Sequence, residues 1–526
     1  MHENWETSEA SRLNQSRDRS EKAICHTADR HVSEESDCAI VPVNLPNKEE
    51  QSAAEVGEGR AQAKKNIDPS NTSPTQSGKR VSQGRDGVRQ AARERKQERF
   101  TALLHHVTIN LLRDSFYALK RQAAPGVDGV TWKEYEAGLE DRLADLHNRI
   151  HRGTFRARAS RRVYIAKADG RQRPLGIAAL EDKVVQQAVV TILNEIYEVD
   201  FKGFSYGFRP GRGPHRALDA LSVGLHRKRV SWVLDADIRG FYDHMSHEWT
   251  VKFIEHRVGD SRMVRLIQKW LKAGVSEDGQ WSETRVGTPQ GAVISPLLAN
   301  VYLHYVFDLW VEAWRQKVAQ GDVMVVRYAD DLVMGFQSRT EAERFLREFQ
   351  ERLAKFGLEL HPEKTRLIEF GRFAAQNRKR RGEGKPETFT FLGFTHYCGK
   401  RRKDGAFTVW RATAKKRMAA KLLAIKAELI RRRHEPPASV GEWLQKVVAG
   451  YYRYHAVPGN LPQLWVFRHR LRRLWRTVLI HRSQRGYVGW ERLAPLFDRW
   501  IPHPRVLHPY PIQRFEAIHS RWKPYA

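Results

Sequence analysis

Cysteine is scarce. The 526-residue chain has three, Cys25, Cys38 and Cys398. No two lie close enough in sequence for a zinc knuckle or a disulfide framework, and one neighbouring His396 does not complete a metal set. That usage fits a reducing, cytoplasmic setting. Long apolar runs are missing as well. No stretch is long enough to span a bilayer, and the opening Met1-His2-Glu3-Asn4-Trp5 begins no secretory signal, so a membrane partner is not expected. No internal repeat is visible. Acid is in deficit: 61 Asp and Glu stand against 91 Lys and Arg, a formal +30 with a pI near 10.1. Such a balance calls for a polyanionic partner, nucleic acid first.

The charge is unevenly spread. Residues 1–95 hold 15 basic and 16 acidic residues, and Trp5 is their only aromatic. This segment buries too little apolar surface to offset the entropy of ordering and is expected to be mostly disordered, its Arg-rich end from Arg89 to Arg99 leading into the first helix. Residues 400–526 hold 28 Lys and Arg against 7 Asp and Glu, a net +21, interleaved with Trp and Tyr. Cations for phosphates and rings for bases suit an RNA surface. Helical spacing there predicts three helices. The first carries Met418, Leu422, Ile425 and Leu429. The second is capped by Ser439 and carries Trp443, Val447 and Tyr451. The third carries Leu464, Phe467, Leu471, Leu474 and Val478. The apolar stripes read as core. Arg468, Arg472, Arg473 and Arg476 between them read as RNA-facing. The middle of the chain mixes strand-like runs at 230–238 and 322–336 with amphipathic stretches at 181–199, 261–273 and 340–357, an α+β layout.

Two acidic clusters carry the chemistry. Val323-Met324-Val325-Val326-Arg327-Tyr328-Ala329-Asp330-Asp331-Leu332-Val333-Met334-Gly335-Phe336 reads as a hairpin with the Asp pair at its tip. Alone, an Asp-Asp turn is a common surface feature. Trp232-Val233-Leu234-Asp235-Ala236-Asp237-Ile238 adds a second acidic strand. A strand-end carboxylate beside the hairpin would make an oxygen-only site for two Mg²⁺ ions, the arrangement that serves in-line phosphoryl displacement.

With these motifs in place the chain resembles the reverse transcriptase/maturase proteins encoded by bacterial group II introns, over about residues 100–500. The Tyr-Ala-Asp-Asp motif falls on Tyr328 to Asp331, and the strand Asp of the second motif on Asp237. Further matches are Ala124 to Thr131, Tyr164 to Ile177, Ser205 to Arg212, Gly287-Thr288-Pro289-Gln290-Gly291 with Ser295 to Asn300, His361-Pro362-Glu363-Lys364-Thr365, and Phe391-Leu392-Gly393-Phe394. The resemblance implies metal binding by Asp237, Asp330 and Asp331. It implies triphosphate contacts from Lys167 and Arg173. It places Gln290 and Gly291 beside the nascent pair and makes Lys364 a general acid. It also implies a steric gate against a ribose 2′-hydroxyl at Tyr242, where the family usually has Phe.

The implied fold is a right hand. Fingers and palm of reverse transcriptase type fill 96–400, a helical thumb with the maturase region fills 401–500, and an irregular tail takes 501–526. The implied function is RNA-directed DNA synthesis on intron RNA, with maturase help in its splicing and mobility, in a bacterial cytoplasm. The implied partners are structured intron RNA, primer and template, and deoxynucleoside triphosphates. No cysteine follows Cys398, so a paired-cysteine endonuclease domain is not expected. Two other classes compete: a reverse transcriptase recruited to phage defence or repeat acquisition, and a splicing-only RNA-binding protein. The second would predict a missing metal ligand.

Overall fold

The computed structural model describes residues 76–166, 172–401, 403–482 and 488–518. Eleven strands form three sheets among these residues. The sheet that carries the acidic motifs has the order β6-β7-β3-β8, where β3 is Trp232–Asp237, β6 is Val323–Tyr328, β7 is Asp331–Phe336 and β8 is Arg366–Glu369. All its pairings are antiparallel. Strands β6 and β7 are apolar and buried almost throughout, as strands covered on both faces must be. Helix Pro214–Arg227 covers one face through Leu218, Leu221 and Leu225. The other face meets an aromatic cluster of Trp314, Phe336, Phe345 and Phe349.

A second sheet, β2-β1-β4-β5, is built on the hairpin of β1 (Ser160–Ala166) and β2 (Gln172–Ile177), with β4 (Val275–Glu277) and β5 (Gln280–Ser282) beside it. Helix Leu180–Asp200 follows β2 and is buried along most of its length. The third sheet pairs β9 (Phe389–Phe391), β10 (Phe394–Lys400) and β11 (Phe407–Thr413). After it come helices Lys415–Arg431, Pro437–His455, Leu461–Ile480 and Trp490–Trp500, packed around Leu429, Leu444, Val448, Leu464, Phe467, Leu471, Trp475 and Phe497.

The strands at 232–237 and 323–336 and helices Leu180–Asp200, Ser261–Lys272 and Arg339–Ala354 match the sequence patterns closely. Several boundaries differ. The expected disorder of 1–95 extends too far. Gln76–Glu94 is a helix, docked by buried Val88 and Ala92 and by an Arg89–Glu195 ion pair of 2.7 Å. Residues 1–75 lie outside the described set. The break at 400 cuts the β10–β11 hairpin, so the helical region begins at Lys415. Ser439 is no cap: Pro436 holds that position and Pro437 is the first helical residue. Its fixed φ suits a first turn, whose N–H groups need no intrahelical acceptor. The 501–526 tail is not irregular throughout. Pro511–Ile518 is a helix, and Arg514 pairs with buried Asp219 on helix Pro214–Arg227.

Candidate active site

The β6–β7 hairpin turns on two residues, Ala329 and Asp330, with Tyr328 paired to Asp331. Ala329 has φ 57°, left-handed for an L residue and strained. The surroundings hold it there. Arg327 is fully buried and donates Nη1 to the Ala329 carbonyl at 3.2 Å. The same guanidinium bonds Asn300 Oδ1 at 3.0 Å and makes a two-point pair with buried Asp308, at 2.7 and 2.5 Å. Asp308 lies on a π-helical turn, His304–Asp308. Asn300 also donates to the Gly207 carbonyl at 2.8 Å. Gly207 lies against the turn: a Cβ there would overlap the Ala329 backbone nitrogen.

Strand β3 runs beside β7 in a register that pairs Asp237 with Asp331. In an antiparallel sheet such Cα atoms stand about 4.5–5.5 Å apart. The chain from Glu359 to Thr365 crosses the end of β3, with the Arg239 amide on the Glu359 carbonyl at 2.9 Å and the His361 amide on the Asp237 carbonyl at 2.7 Å. That crossing brings the Lys364 ammonium onto Asp237 Oδ2. Arg366 stands 3.6 Å from Asp235.

The carboxylates strain against one another. Asp331 opens to solvent on one side, yet the protein crowding it removes hydration. That desolvation, then the charges of Asp330, Asp237 and Asp235, push its carboxyl up to about 7. Burial also raises Asp330, assisted by Asp237 and opposed by Arg173 and Lys364. Burial pushes Asp235 to about 6 against the pull of Arg366. Among the described residues, no three or more of His, Cys, Asp and Glu close on a ready metal cage. The fit to a hard cation therefore rests on donor type and on negative charge that wants neutralising, and Asp237, Asp330 and Asp331 meet both conditions.

The other wall comes from β2 and the Gly287–Gly291 loop. Gln290 accepts the Gly176 amide from β2 at 2.7 Å, and Thr288 donates its amide to the Tyr242 carbonyl at 2.8 Å. Gly287 (φ 85°) and Gly291 (φ 114°) need glycine both for conformation and for space. A Cβ on Gly287 would stand 2.8 Å from the Asp243 carbonyl, and one on Gly291 3.0 Å from the Gly176 carbonyl. Gln290 reaches Asp243 at 3.5 Å. Tyr242 is half-buried. Desolvation and then Asp330 hold its phenol well above the ordinary range, while Arg173 opposes them. Arg173, exposed on β2, thus faces both Asp330 and Tyr242. Lys167 lies outside the described residues.

Asp237, Asp330, Asp331, Lys364, Arg173, Tyr242, Gln290 and Gly291 are brought together. The four arginines read as RNA-facing are not equivalent. Arg468 is buried and spends its guanidinium on Asp498 at 2.5 Å and the Ile501 carbonyl at 3.2 Å. Arg476 bonds the Val488 carbonyl at 3.1 Å and lies over the Trp490 ring, and Arg472 lies over Phe497. These three staple helix Trp490–Trp500 to the bundle, because an arginine stem packs on rings as readily as its head binds oxygen. Arg473 alone of the four is exposed. Sequence reasoning missed Arg327, Asp308 and Asn300 as the clamp on the turn. It also missed exposed Arg417, whose side chain lies against Gly393 and whose charge lowers the Asp331 carboxyl. No local pattern marks these residues; only the fold joins them.

Residues 165–396 match the family described as reverse transcriptase (RNA-dependent DNA polymerase). The chain is 35% identical over 253 residues to protein YkfC of Escherichia coli, covering 42% of this chain and 66% of YkfC. It is 36% identical over 219 residues to the group II intron-encoded protein LtrA of Lactococcus lactis, covering 40% of this chain and 36% of LtrA. A match of 28% identity over 92 residues to nuclear intron maturase 1 of Arabidopsis thaliana covers 18% of this chain and 13% of that protein. The chain thus spans about a third of LtrA and just under two thirds of YkfC.

Proposed function

The chain belongs to the group II intron reverse transcriptase/maturase family, and from that premise we propose that it is an RNA-directed DNA polymerase that also binds its intron RNA as a maturase. One observation carries the reading: Asp237 and Asp331 are register partners on adjacent strands, with Asp330 beside Asp331 at the hairpin tip and Arg173, Tyr242 and Lys364 around them. In this reading the β6-β7-β3-β8 sheet is the palm, the β1–β2 hairpin belongs to the fingers, and the four-helix bundle is the thumb.

Asp237, Asp330 and Asp331 would hold two Mg²⁺ ions. When bound, these supply activation of the primer 3′-hydroxyl and charge neutralisation on the triphosphate. The chain's own groups do the rest. Arg173, joined by Lys167, binds the β- and γ-phosphates and stabilises charge that builds as pyrophosphate leaves. The Tyr242 ring fills the space a ribose 2′-hydroxyl would need. Gln290 and Gly291 bring backbone close to the nascent pair. Lys364, held at Asp237, delivers a proton to the leaving pyrophosphate. Arg473 and the net +21 of residues 400–526 support RNA binding.

Primer extension tests the reading. Purified chain should add deoxynucleotides to a DNA primer on an RNA template, and Asp330→Ala should lose activity by about a thousandfold or more, the scale of removing charge stabilisation from a reacting site. Equal, negligible extension by both proteins would overturn the enzyme claim.

A further inference from the structure

Phe208 sits in the segment Ser205–Arg212, beside the hairpin turn, in a strained backbone conformation. Its φ is 54°, left-handed for a bulky residue. Both neighbours are immobilised. Gly207 lies under the Ala329 backbone and its carbonyl is held by Asn300. Arg209 is buried and makes a two-point pair with Glu198, 3.0 Å at each oxygen. It also gives bonds of 2.8 Å to the carbonyls of Lys202 and Ser205. Phe208 therefore cannot relax, and its ring is driven outward: it is 58% exposed.

The ring is not alone. Its centroid is 6.2 Å from that of Tyr328, tilted by 46°. Tyr328 leads into Asp330-Asp331. Among the described residues, four non-glycine positions have positive φ: Phe208, Asp278, Ala329 and Leu392. Phe208 and Ala329 meet through Gly207. Leu392 packs on the same core as Tyr328, and its carbonyl accepts the Tyr454 hydroxyl at 2.8 Å. Strain that gathers beside reacting groups, and holds an aromatic face in solvent, serves a ligand better than it serves the fold.

The geometry points to Phe208 and Tyr328 as a two-ring platform for the 3′-terminal nucleotide of the primer. This rests on the polymerase reading. Tyr328 is the register partner of Asp331, so a strand whose 3′ end reaches Asp330 and Asp331 comes beside its ring, and Phe208 extends that ring surface. A ring face accepts any base, so the contact positions the primer end without reading sequence. Phe208 is thus a positioning residue for the reacting end.

The test is fluorescence anisotropy with full-length protein on two probes: an RNA template annealed to a dideoxy-terminated DNA primer, and the same RNA single-stranded. Phe208→Ala should weaken binding of the primed probe by about tenfold, the effect of losing one stacked base, and leave the single strand within about twofold. Phe208→Trp should bind both like wild type. In extension assays the Phe208→Ala loss should fall on KM for primer–template rather than on KM for the nucleotide. Phe208→Leu, which keeps bulk without a ring face, should fall between Ala and wild type, and thermal midpoints check that each variant is folded. Unchanged binding of the primed probe by Phe208→Ala, or equal losses on both probes, would overturn the platform. Binding needs no catalysis. A wild type that binds but never extends therefore overturns the polymerase reading alone, and extension with intact Phe208→Ala binding overturns the platform alone.

Discussion

Tyr242 shows how one side chain is placed by backbone contacts. Its carbonyl accepts the Thr288 amide, and Gly287 fits beneath it only because it lacks a Cβ. The ring meets Phe241 edge-on at 5.5 Å. Replacing a usual Phe by Tyr leaves that bulk in place and adds a hydroxyl near Asp330. If the ring is the gate, Tyr242→Ala should improve use of ribonucleotides relative to deoxynucleotides by about 10–100-fold, the discrimination that one filled contact supplies, and Tyr242→Phe should keep the wild-type ratio. The measurement is kcat/KM for a matched pair of ribo- and deoxynucleoside triphosphates on one template. An unchanged ratio in Tyr242→Ala would remove Tyr242 from that role.

The hairpin tip is a problem for a whole element. Its left-handed alanine and crowded carboxylates both oppose folding, and the Arg327–Asp308 pair with Asn300 opposes them in turn. Both charges are fully buried. Removing one partner strands the other in a low-dielectric interior, so Asp308→Ala should lower stability by about 3–5 kcal/mol, read from urea unfolding. A fall of less than about 1 kcal/mol would mean water reaches the site and the clamp is weaker than its geometry. The same element shows what sequence could tell. The hairpin, β3 and the long amphipathic helices were legible because each is encoded by local periodicity and bounded by its own turn. The clamp was not, since Arg327, Asp308 and Asn300 come from three elements. Arg468 was misread through its charge: four residues after Leu464 and three before Leu471 it stands on the buried face of its helix, and its partners Asp498 and the Ile501 carbonyl come from farther along the chain. Helix Pro511–Ile518 was missed because it is short and Pro-bounded, and its docking depends on Asp219, far upstream.

Across the whole molecule, packing holds ionisable groups uncharged at separate places, and acid should find them. His304 is buried on the π-helical turn, 3.9 Å from Asp308, and His396 lies on β10, stacked on Phe389 at 4.9 Å. Burial, aided by Arg327 for the first and Arg411 for the second, lowers each to about 3 from an ordinary 6.5. Below pH 6.5 the unfolded chain binds a proton at each position and the folded chain does not until about pH 3. Stability therefore rises with pH across that window and is lost as pH falls below 6.5, by up to about 1.4 kcal/mol per pH unit for each histidine. Buried Asp182 and Asp200, raised to about 6, act in the opposite sense between about pH 4 and 6. A single curve would mix the two, so a paired comparison is needed. His396→Phe keeps a ring against Phe389 and removes one titrating group while leaving the carboxylates alone. Urea unfolding at pH 7 and pH 5 should show the variant losing less stability than wild type over that interval, by roughly 2 kcal/mol. Equal losses would mean that His396 is protonated in the folded protein, and that its place in the core is wetter than its packing against Phe389 and Arg411 describes.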